Sequence, residues 1–157
     1  MQNQQNSLTR SNPVIRFSKP NAPNGWLSLH SPHGFTYAKE TWNSAAQAWY
    51  SIVHSVKSVD FAKGHYKTRE TSYNDTEKYG HLLGILRAKI ANHPILKEYL
   101  TETEDSEIIH VVSKFSSLDL FWLGLDEDKG GLNKLGKAWM EIRDQLQKQK
   151  QCQTTTN

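Results

Sequence analysis

The chain has 157 residues, 36% of them hydrophobic, with a formal net charge of +3 and a mean hydropathy of −0.70. That length supports one domain with a core, or one domain with tails. Charges of both signs are interspersed and no Lys/Arg run is dense, which excludes a dedicated nucleic-acid groove readable from the sequence; no apolar run approaches the roughly 18 residues of a membrane span.

Residues 1–13 and 147–157 are nearly all polar and are expected to be disordered tails, leaving 14–146 as the folded domain. The single cysteine, Cys152, falls in the second tail, so no intramolecular disulfide or cysteine-based zinc site is available. Together with residues 1–30, which lack a charged segment leading into an apolar one, this predicts a reducing, cytoplasmic setting.

Val14–Phe17 is a short β-prone segment, followed by Pro20 and Pro23, which block regular structure. Residues 25–34 are rich in turn formers and carry Trp26, His30 and His33. Phe35–Tyr37 alternates as a strand, so a small two- or three-stranded element with a ligand-capable loop between strands is expected. Thr41 can cap a helix whose stripe is Trp42, Ala45, Ala46, Trp49, Ile52, Val53 and Val56, a face that reads as core. Residues 58–63 form a short helical turn closed by Gly64, and 65–73 form a polar loop with Lys67 and Arg69.

Asn74 and Glu77 have the spacing of a capping pair. The helix after them presents Tyr79, Leu82, Leu83, Leu86 and Ile90, with Arg87 and Lys89 near its C-terminal end, where the helix dipole favours cations. Gly80 and Gly84 each cost this helix about 1 kcal/mol against alanine, unless close packing compensates. Pro94 starts the next helix, over 95–100. Residues 108–112 are the strongest strand signal, dominated by β-branched side chains. From 115 onward an apolar block ends in Trp122, Leu123 and Gly124, and an acidic turn runs over 126–131. Asn133 then opens a helix with one apolar face of Leu135, Trp139, Ile142 and Leu146.

Seven histidines invite a metal, but the only close pair, His30 and His33, has no third ligand at suitable spacing, so no metal site is expected. There is no G-x-S-x-G, Walker or G-x-G-x-x-G motif. Asp119 and Trp122 are three apart, beside the Gly/Asn turn. A carboxylate next to an aromatic wall suits the oxocarbenium-like state of glycosidic cleavage; the alternative is a first-turn helix acid beside Ser116 or Ser117. Gly130 and Gly131 are either a plain turn before a capping Asn133, or a loop that lets backbone approach a phosphate or sugar.

The order G-W-L-S at 25–28, T-W-x-S at 41–44, L-R-A-K at 86–89, D-x-F-W at 119–122 and G-x-N-x-L-G-K-x-x-M-x-x-R at 131–143 resembles the NADAR, or YbiA-like, family over nearly the whole domain. The resemblance implies a single α+β domain, mostly helical with a small β element, and N-glycosidase activity without metal or organic cofactor. The implied substrate is a phosphorylated ribosyl-pyrimidine of riboflavin biosynthesis or an ADP-ribosylated base; nucleic acid would enter only as such a modified base. It also implies that Trp26, Ser28, Trp42, Lys89, Trp122, Gly131 and Asn133 bind substrate, that Gly136 and Arg143 support them, and that Asp119 is catalytic. All are expected around one cleft in which Asp119 faces Trp26 and Asn133. The chain departs from the family at three places. Ser28-Leu29-His30 replaces an amide-bearing loop, Ala46 (or Asn43 after a one-turn shift) stands at a glutamate position, and His110 stands where an acid commonly ends the strand. Two readings follow: an N-glycosidase in which His30 or His110 carries the proton beside Asp119, or a member that binds a nucleotide-sugar, ADP-ribose ligand or protein partner without turnover.

Overall fold

The computed structural model describes residues 12–64, 66, 71–115 and 119–156; Ser116, Ser117, Lys67, Arg69 and most of the N-terminal tail lie outside them. In chain order the elements are β1 (Val14–Phe17), a 3₁₀ turn (Gly25–Leu27), β2 (Phe35–Tyr37), β3 (Glu40–Trp42), α1 (Ala45–His54) and α2 (Ser58–Ala62). There follow α3 (Asp75–Asn92), α4 (Pro94–Glu102), β4 (Glu107–His110), α5 (Leu120–Leu123) and α6 (Lys134–Thr154). This is an α+β domain, mostly helical with little sheet.

The strands do not form one element. β1 pairs in parallel with the distant β4, from Val14 opposite Glu107 to Phe17 opposite His110. β2 and β3 form a separate antiparallel hairpin, with Phe35 opposite Trp42. The proline-containing turn after β1 carries the chain away before a hairpin partner can form, so the β-branched Ile108 and Ile109 take that edge. Helices α1, α3 and α6 surround a core in which Trp49, Leu82, Leu86, Ile108, Leu135 and Trp139 have no measurable exposure.

Local signals held where they were local. Asn74 and Glu77 make a complete capping box on α3, Pro94 occupies the first turn of α4, and Leu135, Trp139 and Ile142 are buried on α6. Two expectations are corrected. Thr41 does not cap α1; it lies in β3, and the extended Ser44 accepts from the Gln47 amide at 3.2 Å instead. Trp42 is likewise a strand residue, its indole donating to the Tyr37 carbonyl at 3.0 Å. The second concerns the C-terminal stretch: α6 continues past Leu146 to Thr154. No residue after Arg143 is buried there, so this extension rests on the helix propensity of an uninterrupted Gln/Lys run rather than on packing. Of the two glycines in α3, Gly84 lies against the Tyr37 ring, whereas Gly80 faces open space. No helix among the described residues is long and apolar enough to cross a membrane.

Candidate functional site

Parallel strands leave their C-terminal ends side by side, and ligands of α/β folds gather there. Beyond the ends of β1 and β4 lies a cavity of about 410 Å³, a volume that accommodates a nucleotide-sized ligand. Ser18 and Lys19 enter it after β1, and His110 and Lys114 from the end of β4 and just beyond it. Ser28 and His30 come from the 25–31 loop, Tyr50 from α1, and Leu120 and Leu123 from α5.

The loop is held on three sides. Lys89 of α3, fully buried, donates to the Trp26 carbonyl at 2.6 Å, the Ser28 carbonyl at 3.3 Å and the Ser31 hydroxyl at 2.5 Å. Trp139 of α6 donates to the Leu27 carbonyl at 2.9 Å, and the Ala46 amide at the start of α1 donates to the Leu29 carbonyl at 2.8 Å. Burial lowers the Lys89 ammonium to about 7. Lys89 and Trp26 therefore build the loop from behind; Trp26 packs its ring against Trp139 and Tyr99.

His110 is held as firmly. Its backbone amide donates to Asn133 Oδ1 at 3.0 Å, and its carbonyl accepts from the Leu125 amide at 2.8 Å. Asn133, in the left-handed region at φ 48°, also donates from Nδ2 to the Ile108 carbonyl at 3.0 Å, so its side chain runs along β4 like a short strand. Gly131 lies against the backbone of Gly124 and Leu125 at φ 135°, where a side chain would not fit. Gly131 and Asn133 thus fix the strand end; neither lines the cavity. The His110 ring stacks on Phe17 at 5.0 Å, and its Nδ1 is buried without a hydrogen-bonding partner among the described residues. Burial lowers its pKa to about 4, with the nearby His30 adding to the fall and the Leu123 carbonyl opposing it. His30 keeps an exposed edge, but its ring lies near Tyr50 and Phe61, and desolvation lowers its pKa too. Both imidazoles are therefore neutral at pH 7, each with a nitrogen able to take a proton.

Asp119 is 3% exposed and sits immediately before α5, behind the cavity wall to which Leu120 contributes. Its Oδ2 accepts from the Trp49 indole at 3.0 Å and contacts His54 Nε2, and Lys78 Nζ stands 3.5 Å from Oδ1. Burial alone would raise this carboxyl, but the hydrogen bonds from His54 and Trp49 and the charges of His54 and Lys78 outweigh it and hold the pKa below the ordinary range. Trp122 belongs to the same cluster: its ring stacks on Trp49 at 5.7 Å, with Lys78 4.4 Å above it.

The expected single cleft is accordingly divided. Ser28, His30 and His110 line the cavity. Asp119 and Trp122 form a buried charged cluster beside it, and Trp42 stays in the hairpin. Sequence reasoning missed His54, which lies on α1 with no local feature tying it to Asp119, and it missed Tyr50, Lys19 and Lys114 as cavity residues. Among the described residues no group of three His, Cys, Asp or Glu is placed to hold a metal ion.

No family model matches the chain. It is 25% identical over 146 residues to a Nostoc punctiforme protein named as an N-glycosidase, a match covering 85% of this chain and 92% of that one. Its structure is similar to the NMR structure of the E. coli protein YbiA, with a TM-score of 0.71 and 18% identity over 94% of this chain and 92% of that one. At that identity the second likeness is one of fold.

Proposed function

We propose that this chain is a YbiA-like member of the NADAR family and a cytoplasmic N-glycosidase acting on a ribosyl nucleotide. The substrate is a phosphorylated ribosyl-pyrimidine of riboflavin biosynthesis or an ADP-ribosylated base. The observation that carries the reading is the pairing of two neutral imidazoles, His30 and His110, in one nucleotide-sized cavity.

Water attacks the anomeric carbon as the C–N bond breaks. One imidazole takes the water proton and passes it on to the departing base, which keeps the bonding electrons, and the sugar gains the hydroxyl. Positive charge builds on the sugar as the base leaves. Asp119, ionised behind α5 and paired there with His54 and Lys78, contributes by fixing the wall that Leu120 and Leu123 present to the sugar. Ser28 offers a hydroxyl to the sugar, and Lys19 and Lys114 attract an anionic end. Trp26, Lys89, Gly131 and Asn133 act by holding the loop and strand that carry these groups, and Trp122 by packing the Asp119 cluster.

A specific feature favours a second reading. No carboxylate among the described residues lines the cavity, and both oxygens of Asp119 are already engaged. A member that binds its ligand without turnover would look the same. Incubation with a ribosyl-pyrimidine phosphate and with ADP-ribosyl-guanosine, followed by chromatography of the free base, separates the two. Release that is lost in Asp119→Asn supports the enzyme. Ligand-dependent thermal stabilisation without release supports the binder, and neither effect with either compound removes both readings.

A further inference from the structure

One end of the cavity is aromatic in a way the proposed chemistry does not use. Tyr50, which lines it, has ring centroids 5.7 Å from Phe61 and 5.3 Å from Tyr66, and those two rings stack at 5.3 Å. His30, also lining it, lies nearly parallel to Phe61 at 6.4 Å. Phe61 rides on α2, a helix with no buried residue of its own. Tyr50 belongs to the core, and Phe61 and Tyr66, each half-buried, pack against it and keep part of their rings exposed. Partly exposed aromatic rings packed beside a cavity can serve as platforms for planar rings.

Resting on the N-glycosidase reading for the site itself, we infer that the Tyr50–Phe61–Tyr66 cluster is the subsite for the leaving base and sets which base is accepted. The base stacks against it while the sugar lies toward His110. Affinity for the base comes from α2 and Tyr66, and the catalytic groups come from the loop and β4.

The test is equilibrium binding of uridine 5′-monophosphate, adenosine 5′-monophosphate and ribose 5-phosphate to the wild-type chain, Phe61→Leu, Phe61→Trp and Tyr66→Leu, with melting curves to confirm folding. The expected result is a roughly tenfold weaker Kd for the better-bound nucleotide in either leucine variant, as loss of one stacking partner gives. Ribose 5-phosphate binding is unchanged, and Phe61→Trp retains nucleotide affinity. The inference is overturned if the leucine variants bind nucleotides as the wild type does, if they lose ribose 5-phosphate equally, or if the wild type binds neither nucleotide. Base release from the glycosidase substrates is read separately. Absence of release with selective nucleotide binding intact would remove the enzyme reading alone, and release with indifferent leucine variants would remove this inference alone.

Discussion

Asp119→Asn is the sharpest perturbation of the cluster behind the cavity. Asparagine keeps the shape and an oxygen that can still accept from Trp49, but it removes the charge that His54 and Lys78 face at 4% side-chain exposure. Breaking a buried ion pair from one side costs about 3–5 kcal/mol. Because the Trp49 bond survives, the lower end applies, about 3 kcal/mol, or a fall in Tm of roughly 6–12 °C for a chain of this size. The cost should depend on pH in a defined sense. The folded-state pKa of Asp119 is depressed, so below its ordinary value near 4 the unfolded chain binds more protons than the folded one. The stabilisation is complete above about pH 4 and is lost as the pH falls through the folded pKa. Urea unfolding of wild type and variant at pH 7 and at successively lower pH reads this directly. Equal stabilities at pH 7, or a gap that does not narrow in acid, would refute the charged cluster.

Lys89→Met removes the donor from the Trp26 and Ser28 carbonyls and the Ser31 hydroxyl, and should cost about 2–4 kcal/mol in denaturant unfolding at pH 7. In the wild type, Lys89 loses its proton near 7 when folded and near 10.4 when unfolded. Wild-type stability should therefore climb between about pH 7 and 10, and the climb should be absent from Lys89→Met; parallel curves would contradict a buried, depressed lysine. Gly80→Ala, with open space at the new methyl, should raise stability by about 0.5–1 kcal/mol. Gly136→Ala should lower it by more than about 3 kcal/mol, because the methyl would overlap the Ile108 carbonyl and the Asn133 side chain. Thermal melts of the two glycine variants check both signs.

What was legible in the sequence was short-range. The Asn74/Glu77 box, Pro94 and the α6 face each depend on neighbours within a turn or two, and each formed as expected. The α1 stripe ran one turn too far because Trp42 matches its period, while only the extended Ser44 between them marks the break. Lys89 had a sufficient local explanation in the helix dipole, yet it is a fully buried clamp on a loop far away in sequence. The junction of Asp119 with Trp49, His54 and Lys78 draws on α1, α3 and the start of α5, so no spacing along the chain announces it. The family resemblance gathered its residues into one cleft. In the structure several of them act one layer behind the cavity, holding the groups that line it.

The pH dependence of kcat/KM for base release tests the central claim most directly. With His30 and His110 neutral in the cavity at pH 7, the account predicts release that holds at neutral pH and is lost in acid as the imidazoles take protons, His110 near 4, with a loss of roughly 10²-fold or more when both are replaced by glutamine. No release at any pH, or a wild-type rate retained in a folded His30→Gln, His110→Gln double variant, would contradict it.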